Sequence, residues 1–135
     1  MPTLWLSTIL SLQIPYYINR RQSPLLTEPR SQGQGSETVE VVYNYVPMNG
    51  TTEDLQKHYL GVQANFWSEW VVDASTVQYL ILPRLAAVAE SGWTHQHLRD
   101  YSDFVRRIQA DAQFNSLKGV NYGKHIFEVE SEMNF

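Results

Sequence analysis

The sequence has 135 residues, of which 43% are hydrophobic and 18% charged, so the chain can bury a core and is not a disordered tail. The length is typical of one domain, and the net charge of −4 argues against nucleic acid or an anionic membrane surface as a partner, because both attract basic patches. The absence of cysteine excludes a disulfide framework, a thiolate nucleophile and a cysteine-ligated metal.

The first predicted element is a buried β-strand over residues 4–14, a run rich in Leu and Ile that ends at Pro15. Polar residues interrupt the apolar stretch, so we expect neither a membrane span nor a targeting segment here. Residues 22–38 collect Pro, Gly, Ser and Gln and predict a long exposed loop. Residues 39–45 fit both a strand and one face of a helix, and periodicity alone leaves the two alternatives open.

The second half of the sequence predicts one more strand and several helices. A short helix over about 52–59 is followed by a short buried strand over 59–66. Ser75 to Gln78 have the spacing of a capping box, and apolar residues follow at helical spacing to Gly92, with a bend expected at Pro83. Thr94 is the predicted cap of a last helix, before a turn at Gly119 and an acidic tail over 128–135. The apolar stripe of that last helix is Leu98, Tyr101, Phe104, Val105, Ile108 and Ala112.

Strands that alternate with helices predict an α/β fold with a parallel sheet. Two strands make a poor sheet alone, because each leaves an edge unpaired. We therefore expect the chain to be part of a larger sheet.

Aromatic and polar side chains follow both predicted strands. Trp67 and Glu69 are two residues apart and would project to the same side of an extended backbone, and Tyr17 and Asn19 repeat this spacing after the first strand. An indole can stack on the apolar face of a pyranose while a carboxylate accepts hydrogen bonds from its hydroxyls. In the alternative interpretation, Trp67 is a core aromatic and Glu69 is a solvated charge at a strand end.

Longer motifs resemble a known family. Residues 61–70, GVQANFWSEW, followed by 78–90, QYLILPRLAAVAE, and then Gly92-Trp93-Thr94, resemble the C-terminal part of the family 20 glycoside hydrolases, the β-N-acetylhexosaminidases. Residues 17–19 with Gln22 resemble the Tyr-x-Asp segment of the family after barrel strand seven, and residues 119–122 resemble its closing segment.

The resemblance implies a (β/α)₈ TIM barrel, which needs about 250 residues. Residues 1–127 would then supply the C-terminal portion of the catalytic barrel, about its last two β/α units, with strands seven and eight at 4–14 and 59–66. Such a portion is incomplete as a barrel on its own.

The resemblance also implies an activity and a binding site. The family hydrolyses terminal N-acetylglucosamine or N-acetylgalactosamine from glycans by substrate-assisted catalysis, and no cofactor is implied. Trp67 would form the floor of the sugar site, Glu69 would bind outer hydroxyls, Tyr17 would donate to the acetamido oxygen, and Asn19 stands where the family usually has an Asp. The Asp-Glu pair that carries the catalysis is absent, since the only adjacent acids, Glu53-Asp54, are reversed and fall in a predicted helix. We therefore expect the chain alone to be inactive.

Other interpretations remain open. The chain could be a non-catalytic carbohydrate-binding or assembly module derived from this fold, or a truncated reading frame, and we expect self-association or pairing with the N-terminal portion of the barrel. We expect no metal site, because His95 and His97 lack a metal-binding spacing. Trp70 and Trp93 are predicted packing aromatics, and Arg84 is a predicted structural partner of a carboxylate or carbonyl. The family occurs in the periplasm, in lysosomes and outside cells, which leaves the compartment of this chain undetermined.

Overall fold

The computed structural model describes residue 22 and residues 36–58, 61–68 and 71–127. Ser36 and Asn65 are isolated bridge residues, and no strand forms within these ranges. A 3₁₀ turn, Gln96–Leu98, precedes the longest helix. The helices are α1 (Val39–Asn44), α2 (Glu53–Gln56), α3 (Ala74–Ile81), α4 (Arg84–Trp93) and α5 (Tyr101–Leu117).

Side chains at the helix N-termini explain where α3 and α5 begin. The Asp73 carboxylate accepts from the Thr76 N–H, and the Asp100 carboxylate accepts from the Asp103 N–H at 3.1 Å. Each carboxylate thereby satisfies an N–H group that has no partner inside its helix. The predicted caps were different: Ser75 lies inside α3, and Thr94 caps α4 at its C-terminal end instead of opening the next helix.

Pro83 separates α3 from α4, as its position in the sequence predicted. A proline has no N–H for the helical hydrogen-bond ladder, so the single helix expected to Gly92 becomes two. Arg84, the first residue of α4, is fully buried, and its guanidinium donates to the carbonyls of Leu80 and, at 3.3 Å, Glu37. The predicted structural role of Arg84 as a carbonyl partner is confirmed.

The core lies where α1 and α5 meet α4 and the segment after α5. Helix α1 packs against both α4 and α5. The predicted stripe of α5 is buried from Phe104 to Ala112, whereas Leu98 is 65% exposed because it belongs to the 3₁₀ turn instead. The buried core residues are Val39, Val42, Tyr43, Ala87, Val88, Phe104, Val105, Ile108, Ala112, Tyr122 and Ile126.

Several predictions need correction. The described part of the predicted strand, residues 61–66, has only the bridge residue Asn65, because a strand persists only where a neighbouring strand accepts its hydrogen bonds. Trp93, predicted to pack, is 89% exposed. Gln22 and Glu37, near the two ends of the predicted exposed loop, are buried. Residues 1–21, with the first predicted strand, and residues 23–35, 59–60, 69–70 and 128–135 lie outside the described residues.

The ambiguous segment 39–45 forms α1 and not a strand, with Val39, Val42 and Tyr43 on its buried face. The predicted turn at Gly119 is confirmed by its φ of 72°. Within the described ranges, no helix has the length and apolar character needed to cross a membrane.

Candidate functional site

The segment 61–68 has two different sides. Val62 and Ala64 are partly buried and pack against the helical core, whereas Gln63 is exposed. This alternation indicates an extended backbone, in which residues two apart share a side. The helices therefore cover one side of the segment, and the other side points away from them.

Trp67 follows Gln63 and Asn65 at intervals of two residues, which places it on the side that the helices do not cover. Its exposed fraction is 51%, so the indole is not enclosed in the described core. In a TIM barrel, the side of each strand opposite its helix faces the barrel axis, and the last residues of the strand border the catalytic end. The position of Trp67 fits a residue that lines a cavity at that end.

Sequence reasoning missed two polar residues on this side. Gln63 donates to the side-chain oxygen of Asn65 at 2.6 Å, and both precede Trp67 at a spacing of two. The alternation in the sequence could have identified them, because they share the parity of Trp67. Glu69 has the same parity but lies outside the described residues, as do Tyr17 and Asn19.

A separate cleft of about 380 Å³ lies at the beginning of the segment. Gly61 and Val62 line it together with Trp93 and the end of α4. An added Cβ at Gly92 would lie 2.9 Å from Cγ2 of Val62, so this glycine permits the close approach of helix and segment. Five extended residues separate Val62 from Trp67, or about 16 Å, so the cleft and Trp67 are at opposite ends.

Two buried titratable groups follow α5. Burial, with the nearby positive charge of Arg84, lowers the pKa of His125 to about 4, so the imidazole is neutral at neutral pH. Burial also raises the pKa of the Tyr122 hydroxyl, and the Asp111 carboxylate adds to this effect. Both rings stay uncharged at neutral pH, which suits their place beside the core.

The remaining candidate chemistry is structural or absent from the described ranges. Glu53 and Asp54 lie in the first turn of α2 with exposed side chains, and Lys57 donates to Asp54 at 2.8 Å. The rings of His95 and His97 stack with centroids 5.7 Å apart. Among residues 22, 36–58, 61–68 and 71–127, no three His, Asp or Glu side chains form a group that could hold a metal ion.

Comparison with known sequences decides the family. The model of the glycosyl hydrolase family 20 catalytic domain matches residues 5–96. The chain belongs to this family. The family 20 chain is 35% identical over 107 residues to a β-hexosaminidase of Porphyromonas gingivalis, and 33% identical over 100 residues to a β-hexosaminidase of Akkermansia muciniphila. The family is one of glycosidases, and the sequence resemblance is confirmed.

Solved structures of the family match the described fold. A family 20 exo-β-N-acetylglucosaminidase from Vibrio harveyi, in complex with N-acetylglucosamine, is 31% identical with a TM-score of 0.68. The β-N-acetylhexosaminidase of Streptomyces coelicolor has a TM-score of 0.69 at 23% identity, which supports the fold alone. These are structures of the TIM-barrel family, so the predicted fold class is confirmed at that level.

The match covers most of this chain and a small part of its relatives. It spans 78% of the family 20 chain and 14% of the Porphyromonas gingivalis protein, and 79% of the chain and 17% of the Vibrio harveyi structure. The activity of those longer proteins is therefore a matter for proposal in this chain.

Proposed function

We propose that this chain supplies part of the sugar-binding wall of a β-N-acetylhexosaminidase, as about the last two β/α units of its barrel. Trp67 forms the floor beneath the terminal N-acetylhexosamine, and Glu69 binds its outer hydroxyls. Tyr17 donates to the acetamido oxygen, and Asn19 binds a hydroxyl through its amide. The substrate is a glycan ending in N-acetylglucosamine or N-acetylgalactosamine.

The observation that carries this proposal is the position of Trp67. Its indole is half exposed, on the side of segment 61–68 that the helices leave uncovered. An aromatic face accessible to solvent can stack on the C–H face of a pyranose, and nearby amides such as Gln63 and Asn65 offer hydrogen bonds around it. The Vibrio harveyi relative binds N-acetylglucosamine, which supports the same class of ligand here.

The chain alone does not supply the complete reaction. The family mechanism needs an Asp to orient the acetamido group and an adjacent Glu to protonate the leaving oxygen, and the sequence contains no Asp-Glu pair. Glu53-Asp54 does not replace it, because these acids are in the first turn of α2, where negative charge favours the helix dipole. The purified chain should bind sugar and not hydrolyse it.

Sugar binding is tested by tryptophan fluorescence during titration with N-acetylglucosamine. We expect weak binding, with a dissociation constant of about 1 mM, because one wall of a cavity buries only part of the ligand. Trp67→Ala should abolish the response. Trp93→Ala is the matched control, since its indole is exposed at the opposite end of the segment, and it should keep the response. Equal loss in both variants, or none in Trp67→Ala, would contradict the proposal.

Hydrolysis is tested with a chromogenic N-acetylglucosaminide. We expect the purified chain to release no more chromophore than Trp67→Ala does. Turnover well above that control would show that the chain holds its own general acid and would overturn the proposal that it supplies only the wall.

A further inference from the structure

Pro83 leaves backbone carbonyls at the end of α3 without their helical partners. The carbonyl of Tyr79 would normally accept from the N–H four residues later, which is position 83, and proline has none. The Gln22 side-chain amide donates to Tyr79 O and, at 3.0 Å, to Leu82 O. A residue 57 positions away in the sequence thus satisfies acceptors that the proline has freed.

The site around the Gln22 amide is closely fitted. Gln22 is fully buried, and the Gly123 N–H donates to the same Leu82 carbonyl at 3.2 Å. A Cβ at Gly123 would lie 2.7 Å from the Gln22 amide nitrogen and 2.8 Å from Leu82 O. Glycine is therefore needed at 123 for close approach, and the α3–α4 joint accepts hydrogen bonds from both segments.

This joint connects both parts of the proposed sugar-binding wall. Asn19 and Tyr17 precede Gln22 by three and five residues, which limits their distance from it to about 11 Å and 18 Å. Trp67 precedes α3 by seven residues, and α3, with eight residues, is about 12 Å long. One wall segment leads into the start of α3, and the other is attached to its end.

We infer that Gln22 is a positioning residue for the sugar site, and that its two hydrogen bonds to the α3–α4 joint hold the segment with Tyr17 and Asn19 in place relative to Trp67. The inference rests on the proposed function for the roles of those three residues. A loss of this attachment would move the first wall segment by an ångström or more, enough to weaken contacts to a sugar that need defined geometry.

The test replaces Gln22 with methionine, which keeps the length of the side chain and removes both donors. The same change at the exposed Gln113 of α5 is the matched control. In Gln22→Met we expect about tenfold weaker binding of N-acetylglucosamine, and faster amide hydrogen exchange over residues 16–22 with unchanged exchange in α5. Gln113→Met should match the unmodified chain in both measurements.

Gly123→Ala tests the same attachment from its other side, because its methyl group displaces the Gln22 amide. It should reproduce the weaker binding and the faster exchange over residues 16–22, and it serves as the test if Gln22→Met does not fold. Unchanged exchange in that segment, or faster exchange with unchanged sugar affinity, would overturn the inference. If the unmodified chain binds no sugar while the variants still exchange faster, the attachment is supported and the proposed function fails.

Discussion

Pro83 determines the contacts of several other residues through one missing N–H group. The Gln22 amide satisfies the carbonyl of Tyr79, and the Arg84 guanidinium donates to that of Leu80. Both side chains are completely buried, and a buried polar group costs free energy unless it is hydrogen-bonded. Two side chains that look suited to solvent in the sequence are thus part of the interior, and their removal would leave buried acceptors unsatisfied.

His125 should make the stability of the chain depend on pH. Its pKa is about 4 in the folded state and near 6.5 when unfolded, so the unfolded chain binds the extra proton in this interval. Stability should therefore be complete above pH 6.5 and fall as pH decreases towards 4, by up to about 3 kcal/mol. Urea unfolding at a series of pH values measures the effect.

The matched variant for this measurement is His125→Gln, which has no group that titrates in the interval. Its stability should change little between pH 6.5 and 4.5. Hydrogen bonds lower the pKa values of Asp73 and Asp100 from 3.8, so their contributions are lost only at more acidic pH. An equally steep loss in His125→Gln would show that another group is responsible.

Helix α5 begins where a side chain can satisfy its first N–H groups. The Asp100 carboxylate accepts from the Asp103 N–H at 3.1 Å and from the Ser102 hydroxyl at 2.6 Å, and these bonds lower the pKa of Asp100. Thr94 is also a common capping residue type, but its own N–H donates to Glu90 O at the end of α4. The chain between the two helices, with its 3₁₀ turn, explains the difference.

Asp100→Ala should destabilise the chain by about 1 kcal/mol, the usual loss for an N-cap. Thr94→Ala should change the free energy of unfolding by less than about 0.5 kcal/mol, since the Thr94 side chain caps no helix. Urea denaturation of both variants measures the two effects. A larger loss in Thr94→Ala than in Asp100→Ala would contradict the assignment of the cap.

The described residues form helices around a core and no sheet, although the chain belongs to a barrel family. Helices hydrogen-bond within themselves, whereas a strand needs a neighbour on each side. The chain spans 14% of the Porphyromonas gingivalis protein that it matches, and so corresponds to only part of such a barrel. The uncovered side of segment 61–68 is where a barrel would place its interior.

We expect the isolated chain to self-associate. Large apolar side chains are strongly exposed among the described residues, with Val72, Trp93 and Leu117 at 87%, 89% and 88%. Surfaces of this kind favour association because contact removes apolar area from water. Sedimentation velocity over a wide range of concentrations should show a sedimentation coefficient that rises with concentration. A monodisperse monomer throughout the range would contradict this expectation.

The sequence by itself determined the family, the helices around Pro83 and over α5, and the residues proposed for the sugar site. Motifs and periodicity are local, and residues 61–70 and 78–90 carry both. The stripe from Phe104 to Ala112 predicted a buried helix face because it repeats at helical spacing. Trp67 followed from its position after a strand-like segment in the sequence.

The tertiary structure decided what depends on partners distant in the sequence. Segment 39–45 fits two periods, and its packing against α4 and α5 selects the helix. The burial of Gln22 depends on carbonyls 57 and 60 positions away, which no local pattern can indicate. The strand expected at residues 61–66 is not formed because its hydrogen bonds would have to come from neighbouring strands, and a sequence pattern does not supply them.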